Sequence, residues 1–341
     1  MKKSLIKLQN WEYWPLWAIY FLVFFAWLYY SFRLKSFFFF SNINPNITLS
    51  GLAGSSKMSI LNQIPKKFIP NSILIFANEN IDIVQKKINN KAMGFPFVVK
   101  PDVGERGLSI KVCNNLKELK DYTKSTRFDF IIQEFINYPI ELAVLYYRKP
   151  NETTGVISSL CEKEFLSVIG NGKDNIKTLM SKNNRALLQL HRFEKEHSSL
   201  LKIILKKDEK YIIEPIGNHS RGTIFLDKNK LIDKDLVLAF DKLSKQIPDM
   251  HFGRFDLKCT SIDDLKQLKN FSIIEINGVS AEPAHIYDPV YSFWKGQKVL
   301  LKQWQILFEI SKIQISKGIK PISFKSAIGH LKAYKMQLSL H

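Results

Sequence analysis

Two short stretches of this sequence carry oxygen ligands at the spacing of an extended strand. "GRFDLK" holds Arg254 and Asp256, and "IIEING" holds Glu275 and Asn277. Residues two apart on a strand share one face, so each pair points the same way while Phe255 and Leu257 point the other. A carboxylate inside a sheet is costly unless a cation meets it. If the two strands pair, Asp256, Glu275 and Asn277 converge as an all-oxygen set. Hard ligands with no Cys or His among them favour magnesium or manganese. Such a metal commonly bridges phosphates, and Arg254 would neutralise charge on a group being transferred. A structural network in which Arg254 pairs with the two carboxylates explains the same spacing equally well.

Further candidates lie upstream. "FPFVVKPDVGERGLSIKV" puts Lys100 at the end of an apolar strand, ahead of a loop with Gly104 and Gly107. A lysine there can meet phosphates as a point charge, and glycines let backbone N–H groups cover them. Glu105 and Arg106 of the same loop are within reach of a phosphate or substrate, although a plain hairpin also accounts for the glycines. "IIQEFINYPIE" is a buried strand whose end, Gln133 and Glu134 through Phe135 to Asn137, can offer backbone hydrogen bonds to an adenine. Glu141 can accept from ribose hydroxyls. "EPIGNHSRGTI" sets His219 and Arg221 in a glycine-flanked loop, the best local candidate for contact with substrate or phosphate. "GLAGSSK" (51–57) lacks the GxxxxGK[ST] spacing and is not expected to hold a nucleotide.

Taken in chain order, these pieces resemble the ATP-grasp superfamily, in particular the D-alanine–D-alanine ligase-like carboxylate–amine ligases. The resemblance covers about residues 71–290, and the R-x-D and E-x-N pair is its most specific part. It implies an α+β fold in which two α+β subdomains clasp ATP. Lys100 would contact the α/β-phosphates, Gln133, Glu134, Phe135 and Asn137 would seat the adenine, and Glu141 would hold the ribose. Asp256, Glu275 and Asn277 would bind Mg2+ (or Mn2+), with Arg254, Lys100 and Arg221 as catalytic residues. The implied reaction activates a carboxylate as an acyl phosphate, which an amine then attacks. The same frame accommodates a small-molecule kinase, or a non-catalytic nucleotide-binding protein associated with a membrane. The chain departs from those ligases after E-x-N, where "GVSAEPAHIYDP" replaces a Pro-Gly turn. Ser280, Glu282 and His285, with His219 and Arg221, are therefore the expected substrate contacts, and D-alanine as substrate is unsupported.

The elements that must position these residues follow from pattern. Strands are expected at "SILIFAN", "FPFVVKP", "LSIKVC", "FDFIIQEFI", "ELAVLYYRK", "TGVISSL", "YIIEPIG", "HFGRFDLKC" and "FSIIEIN", with helices between them. The expected organisation is a hydrophobic helix over residues 1–40 and a connector over 41–70. A first subdomain (71–140), a second (141–293), and a C-terminal helix with a basic tail (294–341) follow.

Within 341 residues, 50 are Lys or Arg and 31 are Asp or Glu, a net charge of +19. That excess calls for an anionic partner. Without a helix-turn-helix, RNA-recognition or zinc motif, nucleic acid is not the expected one. Cys113, Cys161 and Cys259 are too scattered for a disulfide framework. "YWPLWAIYFLVFFAWLYYSF" (13–32) is uncharged, flanked by lysines, and long enough to cross a bilayer. It is expected as a membrane-embedded helix, with an interfacial helix as the alternative and the ATP site on the cytoplasmic side.

Overall fold

The computed structural model describes residues 2–105 and 107–340. Arg106, expected near the phosphates, lies outside the described residues. Strands β1 (Ser72–Ile75), β2 (Phe97–Pro101), β3 (Lys111–Cys113) and β4 (Phe130–Glu134) form an antiparallel sheet in the order β1-β4-β2-β3. Its apolar face (Ile73, Ile75, Phe97, Val99, Ile132) is covered by Val84 and Ile88 of the helix Ile81–Asn90. Leu119 and Tyr122 of Leu116–Ser125 complete the cover. Asn80 and Asn115 cap these helices by accepting from Asp82 N and Glu118 N, as short polar side chains at N-caps do.

Strands β5 (Ile140–Tyr147) and β6 (Val156–Glu164) pair antiparallel. β7 (Ser167–Ile169) and β8 (Lys210–Ile212) form a separate ribbon, of which only β8 was expected. β9 (Ile224–Asp227), β10 (Phe252–Cys259) and β11 (Phe271–Asn277) join the hairpin in a five-stranded sheet ordered β11-β10-β5-β6-β9. One face of this sheet, with Leu142, Val144, Phe255, Leu257, Ile273 and Ile276, packs on Leu236, Phe240 and Leu243 of the helix Lys234–Ser244. Leu61, Ile64 and Phe68 of the connector join the same core.

Strands β10 and β11 do pair, antiparallel, with Asp256 opposite Glu275 and Arg254 opposite Asn277. The register then shifts, because Leu257 faces Ile273 and Ile274 is left over as a bulge. A bulge reverses which side chains face which way. It sends Ile273 and Ile276 into the core while Glu275 and Asn277 share the opposite face. Strict alternation would have placed Glu275 on the side of Ile273, inside the core.

The N-terminal expectation needs correction. No helix among the described residues is long and apolar enough to cross a membrane. The uncharged run is broken into a 3₁₀ turn (Trp11–Tyr13), a short helix (Leu16–Ile19) and a longer one (Phe21–Leu34). Pro15 starts the short helix, as a residue without an N–H can, and Tyr20 (φ −96°, ψ 10°) interrupts it. Gln297 Nε2 donates to the Ile19 carbonyl at that break (2.8 Å). One side of the segment packs on the helix Phe293–Ser316, with Tyr30 stacked on Phe308 at 4.6 Å. The basic tail also forms a helix, Phe324–Leu338, capped by Ser323.

Candidate active site

A cleft of about 940 Å³ runs along the face of β10 and β11 that carries Arg254, Asp256, Glu275 and Asn277. Asp256 is buried. Arg254 donates to both its oxygens (Nε 2.8 Å, Nη2 3.1 Å), and Lys163 Nζ of β6 lies 3.4 Å from Oδ2. Burial pushes the Asp256 carboxyl up, but these two cations outweigh it and hold the group below the usual carboxylate range. Asn277 Nδ2 also reaches Asp256 Oδ2 (3.4 Å). Glu275 is different: it is half-buried, and its carboxylate makes no hydrogen bond or ion pair with any described residue. Among the described residues no three His, Cys, Asp or Glu side chains cluster as a metal site; here the third oxygen belongs to an amide. An unengaged carboxylate beside a second carboxylate and an amide oxygen nevertheless suits a hard divalent cation. Such a cation would compete with Arg254 for Asp256.

Lys100 enters the cleft from β2. Its Nζ donates to Gln133 Oε1 (3.0 Å) and to the carbonyl of Ile274 (3.1 Å), the residue at the β11 bulge. Burial lowers its pKa to about 8, with Glu275 pulling the other way. Gln133, expected at the adenine, is committed to holding Lys100 and Ser72.

The glycine loop is tied at both ends. Lys57 Nζ donates to the Gly104 carbonyl (2.7 Å), and Arg221 Nη2 donates to the Gly107 carbonyl (3.0 Å). Arg221 also pairs with Glu214 at 3.3 Å. It is thereby a positioning residue for the loop rather than a side chain in the cleft.

At the far end, Glu141 meets Lys163 (3.0 Å). Burial works against the Lys163 ammonium, yet Asp256 and Glu141 raise its pKa. Lys258 stands over the ring of Phe135 at 5.0 Å and donates to the Ile136 carbonyl (3.1 Å). Glu134, Phe135 and Ile136 line the cleft, whereas Asn137 is exposed and does not.

A family model for the RimK-like ATP-grasp domain matches residues 55–238. The chain belongs to this ATP-grasp family. Its α+β architecture is the ATP-grasp fold. No curated protein matches the sequence. Among solved structures, the VanG D-Ala:D-Ser ligase of Enterococcus faecalis is 13% identical with a TM-score of 0.40. It pairs 72% of this chain with 57% of its own. The D-alanine–D-alanine ligase of Bacillus anthracis gives 13%, 0.42, 77% and 68%. The bifunctional glutathione synthetase of Pasteurella multocida gives 13%, 0.38, 76% and 38%. This chain thus spans little more than half of the first and well under half of the last. At TM-scores below 0.5 these likenesses say nothing of what it binds or makes.

The end of this ATP-grasp cleft away from Glu141 is built largely by segments that carry no sign of a site in the sequence. Gly51–Ser55 and Lys57 of the connector line it, as do Trp14, Leu16, Ile19 and Tyr20 of the N-terminal segment. Glu12 is bound by Arg185 Nη2 (2.6 Å) and His219 Nε2 (2.6 Å), and these partners overcome burial to lower its pKa. His219 is therefore engaged by the chain's own carboxylate. Glu282 accepts hydrogen bonds from the hydroxyls of Tyr20 and Tyr287 (2.7 Å for Tyr287). Burial, then the charge of Glu282, raises both phenol pKa values well above 10, which keeps them donors. Ser280 lines the cleft and donates to the Gly51 carbonyl (2.6 Å). His285 does not reach the cleft. It is buried, its Nδ1 lies 2.7 Å from Ser159 Oγ, and it lines a separate cavity with Leu145 and Phe252.

The sequence reading missed Lys163, Lys258, Lys57, Glu12 and Tyr20. Lys163 was discoverable, since "CEKEF" places it on the face of β6 shared with Cys161. Glu12 and Tyr20 carry no local signal for a site more than 200 residues away.

Proposed function

We propose that this protein is an ATP-dependent carboxylate–amine ligase working through an acyl phosphate. The observation that carries this reading is Glu275, a carboxylate with no hydrogen-bond or ion-pair partner among the described residues, set opposite Asp256 in a large cleft that also holds Lys100 and Arg254. Asp256, Glu275 and Asn277 would hold Mg2+, which when bound neutralises phosphate charge. Lys100 meets the α/β-phosphates, and the Glu134–Ile136 backbone faces the adenine. Glu141, paired with Lys163, would accept from the ribose hydroxyls. Arg254 lies at the γ-phosphate. A substrate carboxylate oxygen bonds to the γ-phosphorus as the bond to ADP breaks. The amine nitrogen then bonds to the acyl carbon, inorganic phosphate departs, and the amine loses a proton. The chain's contribution is placement and charge compensation.

Glu282 gives the amine end its character. Two hydroxyl donors fix the orientation of its carboxylate at the cleft wall, which makes it a suitable anchor for an ammonium group. No cation pairs with it among the described residues.

The test crosses panels of carboxylates and amines and reads ADP release, with ¹⁸O-labelled carboxylates for any positive pair. A ligase transfers one label into phosphate and releases ADP only with both partners present. ADP release that needs no amine, with phosphate retained on the product, would make it a kinase instead.

A further inference from the structure

The helix Phe21–Leu34 is apolar apart from Ser31 and Arg33, and the protein covers only one side of it. Phe21, Phe24, Phe25, Leu28, Tyr29 and Phe32 recur at helical spacing on the outward side. All six are exposed, Phe32 to 83%. An amphipathic helix turns such a stripe inward, whereas here Val23 and Ser31 are the buried positions. Five aromatic side chains each at least half exposed amount to roughly 500 Å², the size of the largest apolar patch of an ordinary monomer, which is often functional.

The patch continues across the chain. Ring contacts run from Phe24 to Trp27 (5.7 Å), Trp27 to Phe37 (5.7 Å) and Phe37 to Phe324 (5.9 Å), the first residue of the C-terminal helix. That helix exposes Met336, and Leu340 just beyond it is exposed as well.

Charge identifies the occupant. Residues 13–78 contain no Asp or Glu, and neither do residues 310–341, which carry six lysines from Lys312 to Lys335. Arg33, Lys35, Lys320 and Lys325 are exposed around the patch with no carboxylate partner among the described residues. A second copy of the chain would set this cationic rim against itself, because a two-fold interface pairs a surface with its own image. An anionic lipid surface supplies both an apolar layer for the rings and phosphates for the lysines.

We propose that this face docks on an anionic bilayer, with the helix Phe21–Leu34 lying along the headgroup–acyl boundary and the 310–341 lysines at the headgroups. The attachment is peripheral. The same N-terminal segment continues into the cleft wall through Tyr20 and Ile19, so docking sets the substrate end beside the membrane.

The experiment is co-sedimentation of the full-length protein with phosphatidylcholine vesicles, with and without phosphatidylglycerol. The expected result is binding to the anionic vesicles that weakens with salt. Replacing Phe24, Phe25 and Phe32 together by Ser should lower the partition coefficient about tenfold or more, with an unchanged melting profile. The pair Lys320→Glu and Lys325→Glu should weaken binding to the anionic vesicles only. No binding to anionic vesicles, or equal binding by the triple serine variant, overturns the proposal. A dimer in light scattering that the triple variant dissolves, without vesicle binding, overturns it in favour of self-association.

Discussion

Asp256 and Glu275 sit opposite one another across β10 and β11, yet Arg254 and Lys163 are both spent on Asp256 and neither on Glu275. Two carboxylates of one proposed metal site therefore play unequal parts in the fold. Asp256→Asn leaves the buried Arg254 without its ion-pair partner and Lys163 with Glu141 alone, and should cost about 3 kcal/mol as well as activity. Glu275→Gln breaks no ion pair or side-chain hydrogen bond to a described residue, but it removes a charge that supports the buried Lys100. It should cost about 1 kcal/mol, less than Asp256→Asn, while turnover falls about 100-fold or more. Urea melts of the two variants, alongside ADP release, read this contrast. Equal destabilisation would mean that Glu275 is a structural group.

Lys100 gives the site a pH limit. Its pKa in the folded protein is lowered to about 8, so the free enzyme loses this cation as pH rises through 8. The profile of kcat/KM for ATP, which reports the free enzyme, should bend downward there. Lys100→Arg keeps its charge and should lack the bend, even at a lower plateau. Stability moves the other way. A buried lysine whose pKa is depressed costs about 3 kcal/mol when charged, a penalty relieved as pH climbs from about 8 toward the unfolded value.

Gly278 follows Asn277 where the connector crosses the strand end. A Cβ there would lie 2.0 Å from the Ser50 carbonyl oxygen and 2.9 Å from Gly51 Cα. Neither backbone atom can rotate away, and Val279 N already donates to Ser50 O (2.9 Å). Gly278→Ala should cost about 2 kcal/mol or more by overpacking and displace Asn277. A lowered melting temperature, together with weaker Mg-ATP affinity, would be the sign. An unchanged melting temperature would show that the connector is not seated there.

The central part of this fold was legible because its signals are local. Alternation placed β2, β4, β10 and β11, and two-residue spacing gathered Arg254, Asp256, Glu275 and Asn277. The adjacent pair Ile273-Ile274 was the visible trace of the bulge, since alternation fails only there. The proposed substrate end was not legible, because it is assembled by distant partners. Glu12 meets Arg185 and His219, and Tyr20 meets Glu282. The uncharged run of residues 13–32 looked like a membrane span because apolar composition does not reveal where a helix breaks. The break at Tyr20 is satisfied by Gln297, almost 280 residues away.

On the proposed reading, Glu282, held by Tyr20 and Tyr287, would serve amine recognition and not nucleotide recognition. Glu282→Gln should raise KM for the amine substrate about tenfold to 100-fold, with KM for ATP unchanged. Tyr287→Phe should give a smaller rise of the same kind. A variant that lost ATP affinity equally would assign Glu282 to the fold instead.

The central claim is that β10 and β11 hold a divalent cation against a bound nucleotide. Titration of the purified protein with Mn2+ and ADP, followed by electron paramagnetic resonance, measures this directly. Saturable Mn2+ binding that requires ADP, and that Glu275→Gln abolishes while the protein stays folded, is the predicted result. Nucleotide binding that is indifferent to the metal, or Mn2+ binding that survives in Glu275→Gln, would contradict it.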